Sequence, residues 1–426
     1  MKGDFSRITF DPTKHYSRVL MQQGRVQLDA DWNEQVAIIL HRLETMAEDL
    51  IGPLGGGPRD KGGFEIESAG DDFKISKGRY YVGGMLCEND DNKYTYKKQL
   101  LGEPDFELDT DYLVYLDAWE QYVTVLDDPN IREKALGGAD TAGRSSIVWS
   151  VRTQELKFPD KTLSQPVWIK ENWEKLIAPV ISPPNRGMLK VAREQSHHDN
   201  DSPCIVSPTS RFRGLENQLY RIEIHSGGEA SSKEVSRKDG ATFKWSRENG
   251  SVILPVASAV GQKITLDSLS GYSTTGLKVG DWVELMEKAH TESTKPGRLL
   301  QITAIGQAKF EITVNEPVQT GRTYLRRWES AETKIFEDDR LFTLEDGIQI
   351  RFQASQPQNK YRTGDYWCIP ARTADEGTIL GPKDSAPPDG VIHHYSPLGS
   401  LRKHALGKLN VIPCTVKFDP MIMIGK

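Results

Sequence analysis

Residues Gln27–Pro53 read QLDADWNEQVAIILHRLETMAEDLIGP, and in them Trp32, Val36, Ile39, Leu43, Met46 and Leu50 recur at alternating steps of four and three. That is a 3.5-residue period, the mark of a helix whose apolar seam faces another helix. Leu40 and Ala47 widen the seam, while Glu34, His41, Arg42, Glu44 and Asp49 are expected on the outer face. Asp31 is expected to cap the start, with Glu34 three residues on reaching back. Gly52 and Pro53 end the helix, since Gly tolerates a left-handed cap and Pro cannot continue the ladder. At 1.5 Å per residue the rod is roughly 30 Å long. Glu48 and Asp49 in its last turn oppose the helix dipole at a cost of about 0.3–1 kcal/mol each. A helix this amphipathic needs a partner, either the chain's own sheet or the same helix in other copies. The expectation taken forward is self-association, with Trp32, Val36, Ile39, Leu43, Met46 and Leu50 as the interface.

Around this helix the chain reads as strands and turns, so the fold class is mainly β and multi-domain. Before it, SRITFDPTKHYSRVLMQQGRVQLDAD looks like an extended arm with Phe5, Phe10 and Tyr16 as anchors. After it, Gly52 to Gly63 is a Gly/Pro-rich joint. FEIES and FKISKGRYYVGGMLCEN give short strands with Gly83-Gly84 as a tight turn. DYLVYLDAWEQYVTVL, Asp111 to Leu126, is a near-continuous apolar run suited to a central strand. IVWSVRTQEL follows as another strand. Phe158 to Pro208 shows no periodicity. QLYRIEIH alternates, with Tyr220, Ile222 and Ile224 on one face and Arg221, Glu223 and His225 on the other. KITLDSL, GLKVGDWVELME, GRLLQITAIG and KFEITVNEPV are short strands at near-regular spacing, which predicts a small SH3-like or OB-like barrel. The expected organisation is an arm and oligomerisation helix at 1–52 and a main β domain in two parts, 64–250 and 321–426. The barrel is read as inserted at 251–320. The apolar run Met421, Ile422, Met423 and Ile424 is expected to dock along a sheet edge.

The composition narrows the function. With 54 Lys and Arg against 60 Asp and Glu the net charge is −6. The absence of a basic tract argues against nucleic acid as a partner. The opening MKGDFSRITFDP has no apolar core region, so synthesis in the cytosol without a signal peptide is expected. Four scattered cysteines form no CxxC pair and read as buried thiols, with neither a disulfide framework nor a zinc site.

Catalytic signals are weak. No GxSxG, HExxH, GxxxxGK[ST] or GxGxxG occurs. The HHDND run at His197–Asp201 reads as a solvated turn before a metal site. His393-His394 beside Tyr395 could furnish a general base only if a carboxylate lay near. Asp127-Asp128 and Asp338-Asp339 read as loop residues that point apart. No catalytic residue, metal or cofactor is expected, and the chain is read as not an enzyme.

The opening MKGDFSRITFDPTKHYSRVLMQQGRVQLDADWNEQ resembles the signature of an uncharacterised bacterial family encoded with phage-tail-like contractile injection systems. YLVYLDAWEQYVTVLDDPNIREKALGGADTAGRSSIVWSVR, GLENQLYRIEIHSGG, FKWSRENGSVI and YRTGDYWCIPART resemble the same family, up to about Thr373. GRYYVGGMLCEN is similar to a strand-turn element of phage baseplate and fibre starts. The resemblance implies a structural baseplate- or fibre-associated component, with other particle proteins as partners, in a particle that is released or membrane-anchored. Phage fibres are commonly trimers, and the heptad helix suits a threefold axis, so a homotrimer is the expected state. The alternative is a module binding a surface glycan or membrane-associated component through the barrel and aromatic loops. A polysaccharide hydrolase ranks last.

Overall fold

The computed structural model describes residues 2–99, 106–136, 141–158, 165–181, 186–193, 218–231, 240–267, 276–286, 296–306, 310–318, 324–336, 338, 340–353, 360–372, 378–379, 381–382, 384–404 and 408–419. The described chain is mainly β, with the long N-terminal helix and a closed five-stranded barrel. It divides into two compact units, both discontinuous in sequence.

One unit comprises residues 1–9, 124–143 and 185–390. Its sandwich has a five-stranded sheet in the order Thr333–Lys334, Thr242–Ser246, Gln218–Ser226, Tyr366–Arg372, Thr378–Ile379. A three-stranded sheet of Phe342–Thr343, Ile348–Gln353 and Met188–Arg193 supplies Ile348, Ile350 and Phe352 to the same core as Tyr220, Ile222 and Ile224. The barrel follows the order Ile253–Leu266, Glu311–Val318, Arg298–Ile305, Trp282–Met286, Tyr324–Trp328. Its first strand is long enough to close it. The start pairs Ile253 with Arg326, and the end pairs Lys263 with Thr313. Leu254, Ile264, Val283, Leu300, Ile312 and Leu325 fill it as a separate core. The expected barrel limits of 251 and 320 leave out the closing strand Tyr324–Trp328, which finishes the ring beyond the regularly spaced strands that marked the barrel in the sequence.

The second unit comprises residues 10–123, 144–184 and 391–426. Segments 64–250 and 321–426 therefore do not form one body: each is shared between both units. The four-stranded sheet has the order Leu409–Pro413, His393–Lys403, Asp111–Val123, Arg144–Leu156. The expected central strand is present and pairs along all of its length, Asp111 with Leu156 through Val123 with Arg144. The outer edge of Arg144–Leu156 is met by the Gln99 amide, which accepts from Val151 N at 2.6 Å and donates to Val151 O at 2.9 Å. A side chain thus blunts an edge that would otherwise template pairing.

Two hairpins, Ile66–Ala69 with Asp72–Ile75 and Gly78–Val82 with Met85–Asn89, cover one face of this sheet over Tyr112, Val114, Leu116 and Ala118. On the opposite face α2 (Gln165–Glu171) and α3 (Trp173–Ile181) pack Ile169, Trp173 and Ile177 over Leu113 and Tyr115. The turn of the second hairpin is Gly83-Gly84, as read from the sequence, with φ of 52° and 77°. Two successive positive φ values are what a tight two-residue hairpin needs. Cys87 and Cys414 are buried free thiols whose pKa burial pushes up to about 12.

Candidate functional site

The helix α1 runs Asp29–Ile51 and ends on Gly52 at φ 104°. It begins two residues before the expected cap. Leu28 occupies the N-cap, and Asp31, one turn in, accepts from Leu28 N at 3.4 Å. Asp31 therefore plays the part of the reaching-back acid that had been expected of Glu34.

The face of α1 that meets its own unit mixes three alanines with two isoleucines and two glutamates. Ala30 and Ile38 are buried, and Glu34, Ala37, Glu44, Ala47 and Ile51 are half-buried. Glu34, Glu44 and Ala47 thus lie against the chain, where the first two had been expected outside and Ala47 in the seam. Small residues allow close approach, and at Gly84 a Cβ would collide with the Glu44 backbone.

The large side chains turn the other way. Val36 at 39%, Ile39 at 47%, Leu43 at 50%, Met46 at 53%, Leu50 at 65% and Trp32 at 72% are all exposed, and Leu40 joins them. The whole predicted seam is one open apolar stripe. Scattered exposed leucines are ordinary, but here seven large apolar side chains are exposed in register along one helix. The preceding arm continues this character, with Tyr16, Leu20, Met21, Val26 and Leu28 exposed. The arm lies beside α1, where Val19 N donates to Gln35 Oε1 at 2.8 Å and the Phe10 ring lies 5.6 Å from His41. Tyr16, expected as an anchor, is exposed, with Lys14 Nζ 6.0 Å from the centre of its ring. Met421, Ile422, Met423 and Ile424 lie outside the described residues, as does the HHDND run.

The remaining candidates separate. Asp127 accepts from Thr124 N at 3.0 Å, Asp128 caps the short helix Pro129–Ile131, and Asp338 accepts from Arg340 N at 3.2 Å. These are turn-forming carboxylates. His393 differs: Asp117 Oδ1 lies 2.6 Å from its Nδ1, so the carboxylate that the sequence did not show is present. The signal available was Asp117 itself, an acid inside the apolar run DYLVYLDAWEQYV.

A second group was not foreseen. Arg221, Glu223 and His225, the polar face of the Gln218–Ser226 strand, are all buried, as is Lys244 on the next strand. They meet the barrel. Lys244 Nζ donates to Glu284 Oε2 at 2.6 Å and lies 3.5 Å from Glu223. Arg221 Nε donates to Glu223 at 2.7 Å, and Lys2 to the same carboxylate at 3.1 Å. Trp328 Nε1 and Gly297 N also donate to Glu284, at 2.9 Å each. Asn249 Nδ2 reaches Gly3 O at 3.1 Å, and Arg326 Nη1 reaches Gly250 O. Burial works to raise Glu284, but Lys244 foremost and Lys2 outweigh it and bring the pKa to about 2. Burial likewise opposes the ionised Glu223, and Lys2, Arg221 and Lys244 together hold its pKa well below the usual range. These contacts join sandwich to barrel, with Lys2, Arg221, Lys244 and Arg326 around the two carboxylates, while the buried Arg326 Nε and His225 Nδ1 have no hydrogen-bond partner among the described residues.

The described residues thus define a β-rich chain with an internal charge junction and an exposed apolar seam along α1. The profile of a family of unknown function (DUF6519) matches residues 1–167 and 183–423, and the chain belongs to that family. No curated protein and no solved structure matches the chain. Among the described residues no helix is long and apolar enough to cross a membrane.

Proposed function

We propose that the chain is a structural, homo-oligomeric subunit of a phage-tail-like contractile injection particle, baseplate- or fibre-associated, and that it assembles through α1. The observation that carries this reading is the open seam from Trp32 to Leu50. The particle context rests on the resemblance of the N-terminal signature to proteins encoded with such systems. A structural, non-enzymatic role is part of the same reading.

The seam favours copies of itself. In heptad terms Val36, Leu43 and Leu50 take position a and Trp32, Ile39 and Met46 position d. Leu at a with Ile at d, as at Leu43 and Ile39, favours three or four parallel strands over two. Leu40 at an e position broadens the apolar face, which suits a threefold axis better than a dimer seam. Burying what remains exposed of each large side chain is worth roughly 1 kcal/mol or more. Over seven residues and three helices that sum is large enough to offset the cost of association.

Ile39→Asp with Leu43→Asp tests the assembly. Multi-angle light scattering is expected to read a trimer for the parent chain and a monomer for the variant, with β-type circular dichroism kept. An unchanged oligomer, or a monomeric parent, overturns the reading. Labelling the chain in purified particles by cryo-EM tests the location, and its absence from the baseplate and fibres counts against the particle role alone.

A further inference from the structure

The junction between sandwich and barrel holds more positive charge than its own carboxylates balance. Arg221, Lys244 and Arg326 are buried there, and Lys2 enters from the arm with its side chain 28% exposed. Against these four cations stand two buried carboxylates, Glu223 and Glu284. The further acids that act on Arg326 and Arg221 are Asp127 and Asp389, both exposed. Each is engaged elsewhere: Asp127 accepts from Thr124 N at 3.0 Å and Asp389 from Cys368 N at 2.6 Å. Glu332 lies 3.9 Å from His225. With Lys2 protonated, the buried set carries a surplus of two positive charges. Buried charge without an opposite partner is costly, and it calls for a counter-ion or the loss of a proton.

The unused donor of this set is on Arg326, which is 6% exposed. Its Nη1 donates to Gly250 O, while its buried Nε has no hydrogen-bond partner among the described residues. Room lies beside it. Gly250 has a φ of 62°, and apart from its chain neighbours a Cβ added there would meet Arg326 Nη1 at 3.5 Å, Arg326 Cδ at 3.7 Å and Arg221 Cδ at 3.8 Å. Those are ordinary contact distances, so the missing side chain leaves a methyl-sized gap between two guanidinium stems.

We infer that this gap is the seat of a small inorganic anion of halide size, held by Arg326 Nε–H with Arg221 and Lys2 as the surrounding cations. A water would satisfy Nε and leave the surplus charge in place; an anion answers both. Lys2 bears the cost of that surplus. Burial foremost, with Arg326, Arg221 and Lys244 acting against the pull of Glu223, brings its pKa down to about 7. The anion favours the protonated amine, so its affinity is full below about pH 7 and falls about tenfold per pH unit above it. The seat is independent of assembly through α1.

The test melts the full chain in potassium chloride and in potassium gluconate at equal ionic strength, which matches screening while the larger anion is kept out. Chloride is expected to raise the Tm of the parent over gluconate at pH 6, and to do so less at pH 9. Gly250→Ala fills the gap with every charge kept, and is expected to abolish the difference between the two salts whatever its own Tm. Lys2→Met, a change on the arm, is expected to raise the half-maximal chloride concentration at least tenfold and serves if G250A folds poorly. Crystals soaked in bromide are expected to show an anomalous peak beside Arg326. No chloride effect in the parent, or an equal effect in G250A or K2M, overturns the inference. A bromide peak without a solution response marks an adventitious ion only and overturns it too.

Discussion

At the scale of single residues, the charges at the sandwich–barrel junction make opposite demands on pH. Glu284 has a folded pKa of about 2 against an ordinary 4.5. A lowered carboxylate stabilises fully above about pH 4.5, and that contribution is lost as pH falls toward 2. Glu329 runs the other way, because burial pushes it up to about 7 against the pull of Arg327 and Arg247. Its contribution is full below about pH 4.5 and lost as pH rises through 7. Urea unfolding of the parent chain and of Glu329→Gln across pH 4.5 to 7 is expected to show a shallower decline in the variant; parallel curves would refute the assignment. Lys244→Met leaves Glu284 with the Trp328 and Gly297 N–H groups and the charge of Lys2, and is expected to cost about 3–5 kcal/mol, the usual loss when one partner of a buried pair is removed. Adding Glu284→Gln should recover much of that loss, and a double-mutant cycle measures how much. None of this was legible in QLYRIEIH. Alternation shows which side chains share a face, but the burial of the polar face depends on a barrel that begins more than twenty residues later.

At the scale of elements, the helix and the hairpin turn were readable and their meeting was not. The period of Trp32–Leu50 gave the stripe, and Gly83-Gly84 gave the turn. That the turn seats against the Glu44 backbone comes from the missing Cβ at Gly84, which a hydrophobic pattern does not register. Gly84→Ala is expected to lower stability by roughly 1–3 kcal/mol, since it combines a positive φ with a collision against helix backbone. Thermal melting checks this, with Gly70→Ala as the reference. Gly70 also has positive φ, at 77°, but nothing lies within 4 Å of an added Cβ. If the two variants melt alike, the contact with Glu44 is not a constraint. The His393 carboxylate partner was out of reach for a related reason. Asp117 and His393 lie 276 positions apart, and only strand register joins them.

At the scale of the molecule, the barrel is an insertion with adjacent ends, since Arg327 N donates to Val252 O at 3.0 Å. Replacing residues 252–328 by a short Gly/Ser linker is expected to leave the sandwich folded but melting lower, because Lys244, Arg221 and Glu223 lose their cover. An insoluble product would mean that the barrel is needed for the sandwich to form. The sequence showed the barrel by its regular strand spacing, yet it did not show the two-unit division, which depends on strands that return from far along the chain. That return bears on biosynthesis. Asp111–Val123 takes its inner neighbour from His393–Lys403, so a ribosome must deliver nearly the whole described chain before the sheet can close. Long-range pairing of this kind folds slowly and exposes unpaired edges meanwhile. The helix at 29–51 emerges long before that, so the proposed assembly through α1 predicts that nascent chains on one messenger meet through it while their sheets are still open.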